Sequence, residues 1–270
     1  MLYSICISRI TFEDSRFFVT VLSGSMEEFS NSTKAGDFSV TFSFDISGIL
    51  SISRLSCVLF DFDMTLVDSS HAITRCLNLV AQHFGLHTLS RSTVLAGIGI
   101  PMEEACESYW GHYDEAWLEY YRAELREEEY AHLRPYPSVP SLLERLRSRS
   151  IATGIVTNRR YARRAAVAAG VADLVDCLVG LEEVSRGKPH PESLLYALNL
   201  LNCPPEEALY VGDTEEDMTA AKAAGVMGIG LLSGGRSEDL LRRAGAREVL
   251  EALEDFPPFF EALASEEGAR

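Results

Sequence analysis

From residue 141 onward the chain repeats one rhythm. "SLLERLRSR" has the apolar spacing of a helix and "IATGIVT" that of a buried strand; "RRYARRAAVAAG" and "DCLVG", "PESLLYALNLL" and "ALYVGD", then "EEDMTAAKAAG" and "VMGIGLL" follow in the same order. Strands separated by a helix's length of chain pair in parallel, because a parallel crossover needs about a dozen residues. The alternation therefore predicts an α/β fold, a doubly wound parallel sheet with helices on both faces. An earlier apolar run, "CVLFDF" with Val58, Leu59 and Phe60, is expected to join that sheet.

Between that run and the alternation the period is helical only. Ile73, Leu77, Val80, Ala81 and Phe84 form one stripe, with Asp68 or Ser69 as N-cap and Gly85 as the stop. "PMEEACESYW" and "DEAWLEYYRAELREEEYA" are amphipathic, and the prolines of "LRPYPSVP" end the block. The expected organisation is an α/β core at 54–68 and 134–270 with a helical cap inserted at 69–133. Hinges are expected near Asp68 and near Pro135 to Pro137. The loop "AGIGIP", with Gly97 and Gly99, reads either as a cap loop reaching the substrate or as a plain interhelical turn.

Residues 1–53 differ from the rest. Phe38, Val40, Phe42, Phe44 and Ile46 alternate with polar or small residues, and "RFFVTVLSG" reads as a second strand. This β-rich segment carries no recognisable chemistry and is read as a small module or as sequence upstream of the natural start.

Composition narrows the partners. A formal charge of −16 argues against general affinity for nucleic acid or an anionic membrane, both of which need a basic face. Six scattered cysteines without a CxxC pair suit free thiols in a reducing compartment. No apolar run approaches the roughly 20 residues of a membrane span, and no signal-peptide pattern opens the chain. The expectation is a cytoplasmic protein, monomer or homodimer, acting on a small molecule.

Open α/β sheets place their ligands beyond the carboxyl ends of the strands. Read there, the sequence offers Asp61 and Asp63, Thr157 and Asn158, Lys188, and Asp213 with Asp217. That is an inventory for phosphoryl transfer. Residues two apart on an extended chain point the same way, so Asp61 and Asp63 can share a pocket. Asp61 is suited to attack phosphorus and form an aspartyl-phosphate, and Asp63 to protonate the leaving alcohol and then activate water. An anionic nucleophile approaching an anionic ester calls for Mg²⁺, with Asp61 and Asp213 as ligands and Asp217 in support. Thr157 and Asn158 could donate to phosphoryl oxygens, and Lys188 supplies fixed positive charge.

Four motifs in order, "DFDMT", "VTN", "GKPHPE" and "VGDTEED", resemble those of the haloacid dehalogenase superfamily of phosphohydrolases, over residues 55 to about 255. The helical insert is similar to the cap of its phosphoglycolate phosphatase and β-phosphoglucomutase branch. The resemblance implies Asp61 as nucleophile, Asp63 as acid/base and as a metal ligand through its backbone carbonyl, and Asp213 as metal ligand. It also implies a small phosphomonoester, such as 2-phosphoglycolate, as substrate. An acid at position 63 favours phosphate esters over dehalogenation. A mutase and a silent binding module stand as alternatives. The cap is acidic overall, with Arg75, Arg91, Arg122 and Arg126 spread along it, which favours the phosphatase over a mutase.

Each residue also has a structural reading. Asp61 and Asp63 could be a turn cluster, Thr157 an ordinary strand residue, Lys188 a loop lysine and Asp213 an N-cap. His190 reads as a structural loop residue, and Glu124 to Glu129 as a solvated helix face. Met64 stands where family members usually have glycine. A thioether there is expected to shape the pocket, so that Met64→Gly shifts substrate preference more than metal dependence.

Overall fold

The computed structural model describes the backbone of three N-terminal strands and all of residues 55–257. The strands are β1 (Ser4–Glu13), β2 (Arg16–Gly24) and β3 (Ser39–Asp45). They form an antiparallel sheet in the order β1-β2-β3. Phe38 and Ile46, the ends of the alternating run, and the side chains of this sheet lie outside the described residues. The chain divides into two compact units, Met1–Ser53 with Asp255–Arg270, and Arg54–Glu254.

The second unit is built on a central strand, β4 (Cys57–Phe60), in which every residue is buried. A strand covered on both faces reads as an unbroken apolar run, as "CVLF" does. The chain then forms β5 (Val67–Asp68) and enters helix α1 (Ser70–Phe84). Asp68 Oδ1 accepts the Ser70 N–H at 3.1 Å, whereas the Ser69 side chain makes no cap bond. Gly85, at φ 71°, closes the helix in the left-handed region. Helices α2 (Arg91–Leu95), α3 (Met102–Trp110), α4 (Glu115–Tyr120) and α5 (Arg126–His132) follow. The single helix expected over "DEAWLEYYRAELREEEYA" is interrupted by a π turn at Tyr121–Leu125. Strand β6 (Arg134–Pro135) returns the chain and pairs antiparallel with β5, Val67 opposite Pro135. This two-stranded ladder lies at the expected hinge positions.

The alternation then runs α6 (Val139–Ser148), β7 (Ala152–Val156), α7 (Ala162–Ala168), β8 (Cys177–Val179), α8 (Glu192–Leu200), β9 (Ala208–Gly212), α9 (Glu215–Ala224) and β10 (Met227–Leu231). It ends with α10 (Glu238–Ala244) and β11 (Glu248–Leu250), a last unit the sequence reading passed over because β11 is three residues long. The six strands are parallel, in the order β11-β10-β9-β4-β7-β8. Chain order reverses direction on either side of β4, and a crevice opens at such a switch point. Phe60 pairs with Ile155 of β7 and Val211 of β9, so three strand ends lie level beside that crevice.

Two apolar clusters support the layers. One fills the space between the sheet and helices α8 and α9, around Tyr210, Leu194 and Leu198. The other binds the helices α1 to α4 through Leu77, Val80, Tyr109 and Trp117, and reaches Met64 of the turn after β4. Among the described residues, five cysteines are free. No helix among them is long and apolar enough to cross a membrane.

Candidate active site

Asp61 follows β4 directly, its N–H donating to Val211 O at 2.8 Å. Thr157 follows β7 and Asp213 follows β9. Level strand ends therefore bring together residues up to 152 positions apart in sequence. Lys188 arrives from the loop before α8. Its Nζ lies 2.7 Å from Asp61 Oδ1, 2.6 Å from Asp217 Oδ1 and 2.8 Å from the Tyr210 hydroxyl. The ammonium is buried, yet its pKa is pushed upward, because the two carboxylates outweigh the cost of desolvation.

The sequence left N-capping open for Asp213, and the structure gives that role to its neighbours. Thr214 caps α9, its hydroxyl accepting the Asp217 N–H at 3.2 Å while Asp217 Oδ2 accepts the Thr214 N–H at 3.0 Å. This is a reciprocal capping box. The Asp213 carboxylate is thereby left to face the site, where Thr65 Oγ1 donates to it at 3.1 Å. Asp217 is fully engaged. One oxygen takes Lys188 and Tyr210, and the other takes the α9 entry.

Oxygens of Asp61, Asp213 and Asp217 lie within 4.8 Å of one another, all buried. Burial, and the neighbouring carboxylates, raise the Asp61 pKa to about 7 against the pull of Lys188. Burial followed by the charges of Asp217 and Asp61 likewise raises Asp213 well above the carboxylate range. Three buried acids facing one ammonium form a hard-oxygen set short of positive charge, which fits a divalent cation such as Mg²⁺. With Asp217 committed to hydrogen bonds, Asp61 and Asp213 are the carboxylates free to hold it.

The Asp63 side chain stands apart from this cluster. Arg159, the residue after "VTN", grips it with two bonds of 2.6 Å. Burial alone would raise the Asp63 pKa, but the Arg159 charge and hydrogen bonds outweigh it and hold the carboxyl below its ordinary value. The third guanidinium nitrogen bonds Glu129 of α5, whose other oxygen accepts from the Tyr121 hydroxyl at 2.8 Å. Glu129 is thus buried, which corrects the reading of Glu124 to Glu129 as one solvated face. A buried carboxylate is tolerated here because a guanidinium and a phenol meet it. Arg159 and Tyr210 went unnoticed in the sequence, and Glu129 was read only as part of a solvated face. For Arg159 the available signal was a cation directly after a strand-end motif.

The Asn158 amide accepts from Lys188 N and donates to Lys188 O, both at 2.8 Å, so it braces the lysine loop, and its second amide hydrogen is left to donate into the cavity it lines. Thr157 Oγ1 accepts the Arg159 N–H at 3.2 Å, which leaves the hydroxyl proton to donate. His190 Nδ1 accepts from Glu192 N at the start of α8, a structural position.

A cavity of about 250 Å³ opens onto Asp61, Asp63, Thr157, Lys188 and Asp213, and the loop Gly97 to Ile100 forms part of its wall. Both glycines are required there. A Cβ on Gly97 would lie 2.0 Å from the Tyr109 hydroxyl, and Gly99, at φ 94°, would bring one to 2.6 Å from Thr214 Cγ2. Arg236 Nη1 fixes the loop from the core side by donating to Ala96 O at 2.9 Å.

Met64 does not line this cavity. It sits at φ 55°, a conformation that costs a non-glycine residue roughly 1–2 kcal/mol, and its side chain is buried in the cap-side cluster. Loss of a buried methionine costs about 2–5 kcal/mol. Met64→Gly is therefore expected to destabilise by up to about 4 kcal/mol net with KM little changed, as read by denaturant unfolding and steady-state kinetics. A changed substrate preference at wild-type stability would contradict this.

The comparisons agree with this geometry. The family model for "Haloacid dehalogenase-like hydrolase" matches residues 58–231. A "Pyrophosphatase PpaX" from Bacillus velezensis is 31% identical over 66% of this chain and 83% of that protein. A "Phosphoglycolate phosphatase" from Aquifex aeolicus is 30% identical over 62% of this chain and 80% of that protein. The crystal structure of "a hydrolase from Pseudomonas syringae", 27% identical, superposes with a TM-score of 0.64 over 77% of this chain and 99% of that one. The matched span contains all four motifs and every strand end that lines the cavity, and the chain belongs to the haloacid dehalogenase-like hydrolase family.

Proposed function

We propose that this protein is a Mg²⁺-dependent phosphatase that cleaves a small phosphomonoester through an aspartyl-phosphate on Asp61. The observation that carries the reading is the convergence of Asp61, Thr157, Lys188 and Asp213 from four separate segments on one cavity. The relatives named phosphoglycolate phosphatase support a substrate of about that size.

Asp61 attacks phosphorus, and the ester oxygen leaves as the alcohol with a proton from Asp63. Asp63, now ionised, takes a proton from water as that water attacks the aspartyl-phosphate, releasing phosphate and restoring Asp61. The Asp63 proton requires that Arg159 release its grip, so substrate entry has to draw the guanidinium away. Lys188 and Thr157 donate to the phosphoryl oxygens as charge redistributes. Asp61 and Asp213 would hold Mg²⁺, which supplies neutralisation of the phosphoryl charge when bound. A mutase would need polar cap contacts for a sugar bisphosphate, and the cap wall of this cavity is largely apolar. Retention of Asp61, Asp63, Lys188 and Asp213 weighs against a silent module.

The test is phosphate release from p-nitrophenyl phosphate. Turnover is expected with Mg²⁺ and is expected to vanish with chelator and return on readdition. Equal turnover in both conditions would remove the metal from the reading, and no turnover with any ester would remove the phosphatase.

A further inference from the structure

Resting on the phosphatase reading, we propose that the ester cleaved here has an apolar leaving group without negative charge, an alkyl or aryl alcohol. The cavity has two unlike ends. At the strand ends lie the acids, Lys188 and Thr157. The apolar part of the wall is set by Ile73, Leu77, Ile98, Ile100, Met102 and Tyr109. The Tyr109 hydroxyl is turned away to donate to Val94 O at 2.8 Å, so its ring is what it offers the cavity. The Tyr121 hydroxyl is spent on Glu129, and the Asn158 amide gives its oxygen and one N–H to Lys188.

The cavity as a whole is lined by more carboxylates than cations. Glu129 and Glu216 both line the cavity, and Glu216 Oε2 is buried with no hydrogen-bond partner. The cations lining the cavity are Lys188 and Arg159. Lys188 is held by Asp61 and Asp217, and Arg159 by Asp63 and Glu129. A carboxylate or second phosphate on the leaving group would lose its hydration and meet two carboxylates, with Lys188 committed to the phosphoryl oxygens and Arg159 held by Glu129 even once it leaves Asp63. An alkyl chain would meet hydrocarbon, where each buried methylene is worth roughly fourfold in affinity.

The experiment compares n-alkyl phosphates from methyl to hexyl with glycerol 3-phosphate and 2-phosphoglycolate, at saturating Mg²⁺. The expected result is a kcat/KM that climbs about fourfold per methylene over the first members. Butyl phosphate should exceed glycerol 3-phosphate and 2-phosphoglycolate by at least tenfold, with the difference carried in KM. A flat chain-length series, or 2-phosphoglycolate as the best ester, overturns the proposal while leaving the phosphatase intact. Failure of every ester, p-nitrophenyl phosphate included, removes both.

Two variants at partly exposed wall positions add a second readout. Ile100→Ser should lower kcat/KM for butyl phosphate more than for glycerol 3-phosphate. Met102→Lys should narrow the gap between butyl phosphate and 2-phosphoglycolate by about tenfold, and an unchanged gap in the folded variant, checked by thermal melting, counts against the proposal. If either variant fails to fold, the chain-length series on the unaltered protein decides.

Discussion

Asp61→Asn is expected to lower kcat by on the order of 10⁴- to 10⁶-fold, the range seen when a nucleophile is removed from a site that otherwise stays assembled. The change is nearly isosteric and deletes the atom that would bond phosphorus. Stability gives the control. A buried carboxyl whose folded pKa is raised, here to about 7 by burial and nearby acids, binds its proton more tightly in the folded state than in the unfolded one. Its contribution is present below the unfolded value near 4 and is lost as pH rises through about 7. The metal-free protein should therefore lose stability over that window, and the asparagine variant, which carries no charge there, should lose less. A variant that is inactive and also markedly less stable at pH 7 would point to collapse of the site, and retained turnover would sink the covalent mechanism.

Asp217→Ala is expected to lower stability by about 3–5 kcal/mol, the usual cost of removing one partner of a buried pair. For a domain of this size, that corresponds to a fall in melting temperature of roughly 6–20 °C. One carboxylate holds the Lys188 ammonium and the Tyr210 hydroxyl on one oxygen, and the Asp213 and Thr214 N–H groups with the Thr214 hydroxyl on the other. Its loss leaves the buried Lys188 ammonium with Asp61 as its one carboxylate partner and removes the Asp217 half of the α9 capping box. Gly212 packs against it so closely that a Cβ there would lie 2.5 Å from the Asp217 carboxyl carbon. A melting temperature within 2 °C of the unaltered protein would show that the network is dispensable.

The residues nearest the proposed chemistry were legible because each follows a strand end or, for Lys188, sits in a loop just past one. Asp61 and Asp213 are announced by the apolar runs before them, and the alternation of periods identified those runs. Lys188 and Thr157 were legible through their motifs. The capping box of Thr214 and Asp217 was also written in the sequence, as an N-cap residue and an acid three positions on, though Asp213 drew the attention. Met64 was misread because its type suggested contact with a substrate, whereas in the fold it fills the cap-side cluster.

Arg159 shows where local reading ends. Its partners lie 96 positions back, at Asp63, and 30 back, at Glu129 of the helical insert. Nothing within a helical or strand period links the three. By itself the sequence determined the α/β core, the inserted helices and the acids at the strand ends, since burial periodicity and strand-end position are properties of neighbouring residues. Only the tertiary structure decided which acid each cation serves, which carboxylates stay free for a metal, and that the cavity beyond them is apolar. Ion pairs and cavity walls are chosen by distance in space, and the chain brings those groups together only when it folds.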